Sequence, residues 1–181
     1  FETQADSPSG GDTLRPDRAR PYYGSKPIRW QLWHTELNLA LDWEREEVHG
    51  EARLWLIPYA LARDSLTIDA KAFTFEGIRV ERPRDIQVMA QRYDTFQLHL
   101  RLSRALRPGD TLVLWMRYRA HPNLLDSLSG QETDLAISGR KGAYFINAQG
   151  ERPCVPRQFW TQGEPESASA WFPTIDSPNQ K

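Results

Sequence analysis

A single cysteine, Cys154, stands among 181 residues, so no intramolecular disulfide can form, and no Cys-x-x-Cys pair is there to hold a structural zinc or a redox couple. An excess of one charge is also missing: 23 basic residues face 24 acidic ones, for a net charge of -1 with both signs interspersed. A nucleic-acid or membrane-surface partner asks for a basic excess or a basic block, and the chain has neither. Apolar runs such as residues 112–116 are far shorter than the about 18 to 20 residues needed to span a bilayer. No charged-then-apolar leader opens the chain, which begins at Phe1 rather than methionine, and we read that as a non-native start. Internal repeats and amphipathic stretches at the helical period are lacking too. What remains is a composition of 39% hydrophobic and 26% charged residues, which is that of one folded domain.

Residues 1–26 hold several prolines and glycines among polar side chains and almost nothing aliphatic. Such a segment cannot bury enough apolar surface to offset its ordering entropy, so we expect a flexible or surface-draped arm. From Trp30 the pattern turns to period two, with Trp33, Thr35, Leu37, Leu39, Leu41 and Trp43 on one face. The charged residues 44–47 make a turn, after which Val48, Gly50, Ala52, Leu54 and Leu56 alternate until Pro58 stops the strand. Further apolar sets follow at Leu66, Ile68 and Ala70, at Phe73 and Phe75, and then in shifted parity at Ile78 and Val80, with a bulge or bend expected at Gly77. Phe96, Leu98, Leu100 and Leu102 alternate cleanly, and Pro108-Gly109-Asp110 is a turn by its chemistry. Leu112, Leu114, Met116 and Tyr118 form one face of the next strand, while Val113 and Trp115 are apolar on the other, so cover on both faces is expected. About eight strand-like runs at short spacing predict an all-β sandwich. Residues 121–140 read as a long surface connection, and beyond residue 146 the chain becomes an irregular, aromatic-rich loop segment.

Few constellations carry chemistry. The four histidines, His34, His49, His99 and His121, are scattered singly, mostly on polar strand faces, and read as solvent-facing residues rather than ligands; no H-E-x-x-H helix, nucleophile elbow or phosphate loop occurs. The site expectation for this chain is therefore no catalytic residue and no metal. Cys154, between Pro153 and Pro156, reads as a loop thiol. Seven tryptophans are many, and Trp33 and Trp43 read as core filling because they share the face of three leucines. Trp160 and Trp171 differ, since they flank an acidic loop. There Gln162 and Glu164 bracket Gly163, which permits a ligand to approach the backbone closely, and an amide oxygen beside a carboxylate is a receptor for an ammonium group.

The ordered pair Trp160-Thr161-Gln162-Gly163-Glu164 and Trp171-Phe172-Pro173-x-x-Asp176-x-Pro178-x-x-Lys181 resembles the end of the N-terminal domain of the aminopeptidase N family of zinc metallopeptidases. The strand at 28–43, the segment 64–70 and Lys141-Gly142-Ala143-Tyr144-Phe145 agree with it, and the wording is closest to bacterial, often exported, members. The resemblance implies a saddle-like antiparallel β-sandwich over residues 27–181, packed on a downstream thermolysin-like catalytic domain that holds the zinc and its ligands. It implies that Gln162 and Glu164 anchor the free α-amine of peptide substrates, with Gly163 shaping the loop. Family members run on beyond the position of Lys181, so the sandwich is expected to be cut short at its C-terminal end and the chain alone inactive. An exported or periplasmic location, with neither nucleic acid nor a membrane span involved, goes with the resemblance. A free-standing β-sandwich module that binds carbohydrate or peptide without catalysis is the other reading, since fold does not dictate function.

Overall fold

Alternating side chains put just over half of the described residues into strands; the computed structural model describes residues 27–125, 141–164 and 166–180. The described residues form β1 (Trp30–Asp42), β2 (Glu47–Pro58), β3 (Arg63–Asp69), β4 (Phe73–Arg82), β5 (Val88–Tyr93), β6 (Gln97–Leu106), β7 (Leu112–Ala120), β8 (Ala143–Ile146) and β9 (Gln158–Thr161), followed by a 3-10 turn at Ala168–Ala170. Sheet A has the order β1-β2-β7-β4, sheet B the order β3-β6-β5, and β8 pairs with β9 in a separate hairpin. All pairings are antiparallel. The fold is the expected all-β sandwich. The arm expected at residues 1–26 lies outside the described residues.

The core lies between the two sheets. Leu54, Leu56, Leu112, Leu114 and Met116 from sheet A meet Leu66, Ile68, Leu98, Leu100 and Leu102 from sheet B, and every one is almost fully buried. Complete burial of one such side chain contributes about 1.5–3 kcal/mol, so this interface outweighs any single polar contact on the surface. The parity shift at Gly77 is a bulge between Phe75 and Gly77 opposite β7. Gly50 answers a different need. Its partner across the β2–β7 ladder is Tyr118, and a Cβ at Gly50 would run into the Tyr118 ring, lying 2.8 Å from Cε1.

Three expectations change on inspection of the fold. Trp33 is 68% exposed, because a bulge between Leu32 and His34 takes it out of the alternation and puts Trp30 and Leu32 on the core instead. Phe96 is half-exposed, since it precedes β6 in the turn built on Asp94, whose carboxylate accepts the N–H groups of Phe96 and Gln97. The opening of the 121–140 connection is not purely surface, for Pro122 and Leu125 are buried; residues 126–140 of that stretch lie outside the described residues. The outer face of β7 is covered as expected, though by side chains rather than by another layer. Arg79 stacks 3.5 Å from the Trp115 ring centroid, and Glu51 accepts from both Arg117 and Trp115.

Candidate functional site

The loop that carries Gln162, Gly163 and Glu164 leaves the end of β9, and the β8–β9 hairpin decides where it sits. Phe145 and Phe159 face each other at 4.9 Å on the inner side and pack against the cluster of Val48, Phe73 and Tyr118 at one end of sheet A. Trp43, in the turn just past β1 and half-buried, meets the edge of Phe145 at 5.5 Å and has the Arg157 guanidinium 4.7 Å from its ring centroid, so it packs beside the hairpin instead of filling the core as expected. On the outer side Tyr144 and Trp160 lie 5.0 Å apart, and Trp160 remains 51% exposed. Period-two alternation thus gives this short hairpin an anchoring face and a presented face.

Beyond β9 the ladder continues for one further bond, from Gln162 N–H to the Gly142 carbonyl at 2.8 Å, and the chain then turns so that Ser167 N–H reaches the Gly163 carbonyl at 2.9 Å. Gln162 is half-buried, while Gly163 and Glu164 are exposed. Neither the Gln162 amide nor the Glu164 carboxylate bonds to another described residue. Gly163 does not adopt a left-handed φ, and a Cβ added there would meet nothing within 4 Å. The glycine that this geometry does require is Gly142. It has φ +64°, and a Cβ there would collide with the Ser167 carbonyl oxygen and stand 2.8 Å from the Ala170 Cβ.

The tail closes the frame behind the loop. Ser169 N–H donates to Asp176 at 2.9 Å, and Asp176 N–H donates to Asp69 at 2.9 Å. Asp69 pairs with Thr174 through two backbone bonds of 2.7 and 3.0 Å and takes a further bond from the Gln97 amide at 2.7 Å. Asp176 is therefore a structural tie to β3; Lys181 lies outside the described residues. Trp171 and Phe172 pack against the sheet A cluster, and the Tyr118 hydroxyl donates to the Trp171 carbonyl at 3.2 Å. Burial pushes the Tyr118 phenol above its ordinary range, so it stays protonated and able to donate. Gln180 also escaped the sequence reading. Its amide accepts from Leu32 N–H at 3.0 Å and donates to the Trp30 carbonyl at 2.7 Å, replacing a strand partner along the edge of β1.

The histidines are more engaged than isolated surface residues. His34 meets the edge of the Trp55 ring at 4.8 Å. His99 lies between Asp94 at 3.0 Å and Thr67 at 3.2 Å, and that imidazole, with the Gln97 N–H behind it, holds the Asp94 carboxyl below the usual carboxylate range. His49 and His121 both lie against Glu47. Their clustering comes from strand register, which sequence spacing does not show. Cys154 is exposed in a loop, as expected.

Fold and site together define a β-sandwich domain that presents an amide and a carboxylate at the end of a docked hairpin. The chain belongs to the Peptidase M1 N-terminal domain family, which it matches over residues 28–181. No curated protein matches it. Among solved structures, an M1 zinc metallopeptidase from Deinococcus radiodurans superposes with a TM-score of 0.60 at 16% identity, over 86% of this chain and 31% of that one. Leukotriene A4 hydrolase from Saccharomyces cerevisiae gives 0.57 at 19% identity, over 92% and 25%. A two-domain M1 zinc metallopeptidase bound to L-arginine gives 0.60 at 15%, over 88% and 32%. At these identities the likeness is one of fold, and the chain spans about a third or less of the length of these proteins. No H-E-x-x-H pair occurs in the sequence, so the chain does not supply that zinc motif. No helix among the described residues is long and apolar enough to cross a membrane.

Proposed function

We propose that this chain is the amine-anchoring domain of a zinc aminopeptidase, in which Gln162 and Glu164 hold the free α-ammonium of a peptide while a following thermolysin-like domain carries the zinc and performs hydrolysis. The observation that carries the reading is the presentation of the Glu164 carboxylate. It is exposed, bonds to no described residue, and sits on a loop whose two flanks are tied by Gly142 and by the 69–176 contacts. A frame this extensive around a carboxylate that it does not itself use suits a group reserved for a ligand. The side-chain-free Gly163 between the two residues keeps that surface open.

A peptide α-amine has a pKa of about 7.7 to 8 and is mainly ammonium at neutral pH. An acetylated terminus or an internal peptide bond offers no such charge, so the loop favours free N-termini. A hydrogen bond to a charged partner contributes about 1.5–3 kcal/mol, and each 1.4 kcal/mol is a factor of ten. Glu164→Ala in the complete protein is expected to lower kcat/KM on an unblocked aminoacyl amide by at least about tenfold, chiefly through KM. Unchanged kinetics would remove Glu164 from the site. The half-exposed Trp160 supports a second reading, a free-standing carbohydrate-binding or peptide-binding module. A shift of tryptophan emission with oligosaccharide, lost in Trp160→Ala, would favour it.

A further inference from the structure

One end of sheet A collects polar side chains that the amine-binding loop does not use. Strand pairing sets Asp42 opposite Glu47 across the β1–β2 turn, and Glu47 and His49, two residues apart, share one face of β2. One donor atom from each of Asp42, Glu47 and His49 lies within 4.8 Å of the other two, and all three residues are half-buried. Glu47 occupies the middle, with its side chain only 13% exposed. Oε2 is 3.1 Å from His49 Nε2, and Oε1 is 3.2 Å from Nδ1 of His121, just past the end of β7. The other ring nitrogen of His121 is 3.0 Å from Thr74 Oγ1 in β4. The carboxylate is therefore held from behind by a relay that crosses two further strands.

Asp42 is fixed in a similar way. Its Oδ1 accepts the backbone N–H groups of Glu44 and Arg45 at 3.1 and 3.0 Å. Its Oδ2 meets the Arg45 guanidinium at 3.0 Å, and that side chain is 69% exposed. An ion pair so accessible to water contributes little, so the guanidinium can yield Oδ2 to a stronger cation. Two carboxylates neutralise a dication, and the imidazole nitrogen selects against calcium and magnesium, which take oxygen ligands. Three protein ligands of this mixed type leave a fourth, open position of the kind zinc fills with water.

We propose that Asp42, Glu47 and His49 bind one divalent transition-metal ion of the zinc class, with His121 as the residue that positions the Glu47 carboxylate. This departs from the sequence expectation of no metal, for a physical reason: Asp42 ends β1 while Glu47 and His49 lie on one face of β2, and the register across the β1–β2 turn brings the three donors together. Bound metal ties the β1–β2 turn to β2 at the end of the sheet against which the hairpin packs.

The test is titration of the 181-residue chain with zinc chloride by calorimetry, with electron paramagnetic resonance of the copper(II)-loaded chain alongside. One equivalent of zinc is expected, with nitrogen hyperfine structure in the copper spectrum. His49→Ala should weaken zinc binding by more than about 100-fold and remove the nitrogen signal, whereas His121→Ala should weaken it by about 10–100-fold and keep that signal. Asp42→Asn preserves the shape of the turn and decides the question if the histidine variant does not fold; it too should weaken zinc. Absence of stoichiometric binding, or affinity unchanged in His49→Ala or Asp42→Asn, overturns the proposal.

Discussion

Gly142→Ala is the substitution in which loop position and stability are most directly linked. At φ +64° an alanine carries the left-handed penalty of about 1–2 kcal/mol, and its Cβ would also collide with the Ser167 carbonyl oxygen and crowd the Ala170 Cβ at 2.8 Å. Pressing a methyl group into a filled space costs about 1–3 kcal/mol more, and here the obstacle is backbone, which cannot rotate aside. Gly150 supplies the control. Its φ is +72°, yet a Cβ there meets nothing within 4 Å, so Gly150→Ala bears the backbone cost without the collision. Alanine narrows the unfolded ensemble by the same about 0.4–1 kcal/mol at either site, and that part cancels in the comparison. Urea unfolding of both variants should therefore place Gly142→Ala about 1–3 kcal/mol below Gly150→Ala. Hydrogen exchange at Gln162 N–H, which is bonded to the Gly142 carbonyl, should quicken in the first variant alone. On the amine-anchoring function proposed above, the same change in the complete protein should raise KM for unblocked peptides, because it displaces Gln162 and Glu164 together. Variants that agree to within about 0.5 kcal/mol, with Gln162 exchange unaltered, would refute the argument that the Gly142–Ser167 contact sets the loop.

Two further outcomes follow from the packing. Gly50→Ala places a Cβ against the Tyr118 ring and should destabilise the chain by at least about 1–3 kcal/mol in urea. Tyr118→Phe should not rescue it, because the colliding ring is still there; a neutral Gly50→Ala would mean that the ring repacks freely. The Tyr93 hydroxyl accepts from Phe73 N–H at 2.6 Å and donates toward the Ala70 and Thr95 carbonyls, each 2.9 Å away, so Tyr93→Phe leaves that N–H without its acceptor at a cost of about 1–3 kcal/mol at neutral pH. Burial pushes the Tyr93 pKa up from 10.0 to about 12, which means the folded state retains a proton that the unfolded chain loses first. The stability from this group is fully present below pH 10.0 and is lost as pH rises toward about 12. The stability gap between wild type and Tyr93→Phe should narrow over that window, as measured by urea midpoints at successive pH values. A gap independent of pH would show that Tyr93 titrates normally.

Much of the architecture was legible in the order of residues, because alternation reports which side of a strand faces the core. Leu98, Leu100 and Leu102 on β6 and Leu112, Leu114 and Met116 on β7 sit where their spacing puts them, the turn at 108–110 follows from local chemistry, and the turn expected at 44–47 lies one residue earlier, at 43–46, because Glu47 already pairs with Asp42. Gln162 and Glu164 were singled out only through their motif, since a solvated loop carboxylate looks the same in any sequence, and their role in binding an amine is the proposal made above. Tertiary structure decided the rest. The bulge that exposes Trp33 depends on how β1 pairs with β2 and on the Gln180 amide, 148 residues from Leu32, which completes that edge. The need for glycine at 142 comes from Ser167 and Ala170 closing over it, and at 50 from a tyrosine on the adjacent strand. The gathering of Asp42, Glu47, His49 and His121 depends on register across three strands. Period and turn chemistry act over a few residues and can be read along the chain; contacts between distant residues exist only once the sheets have paired.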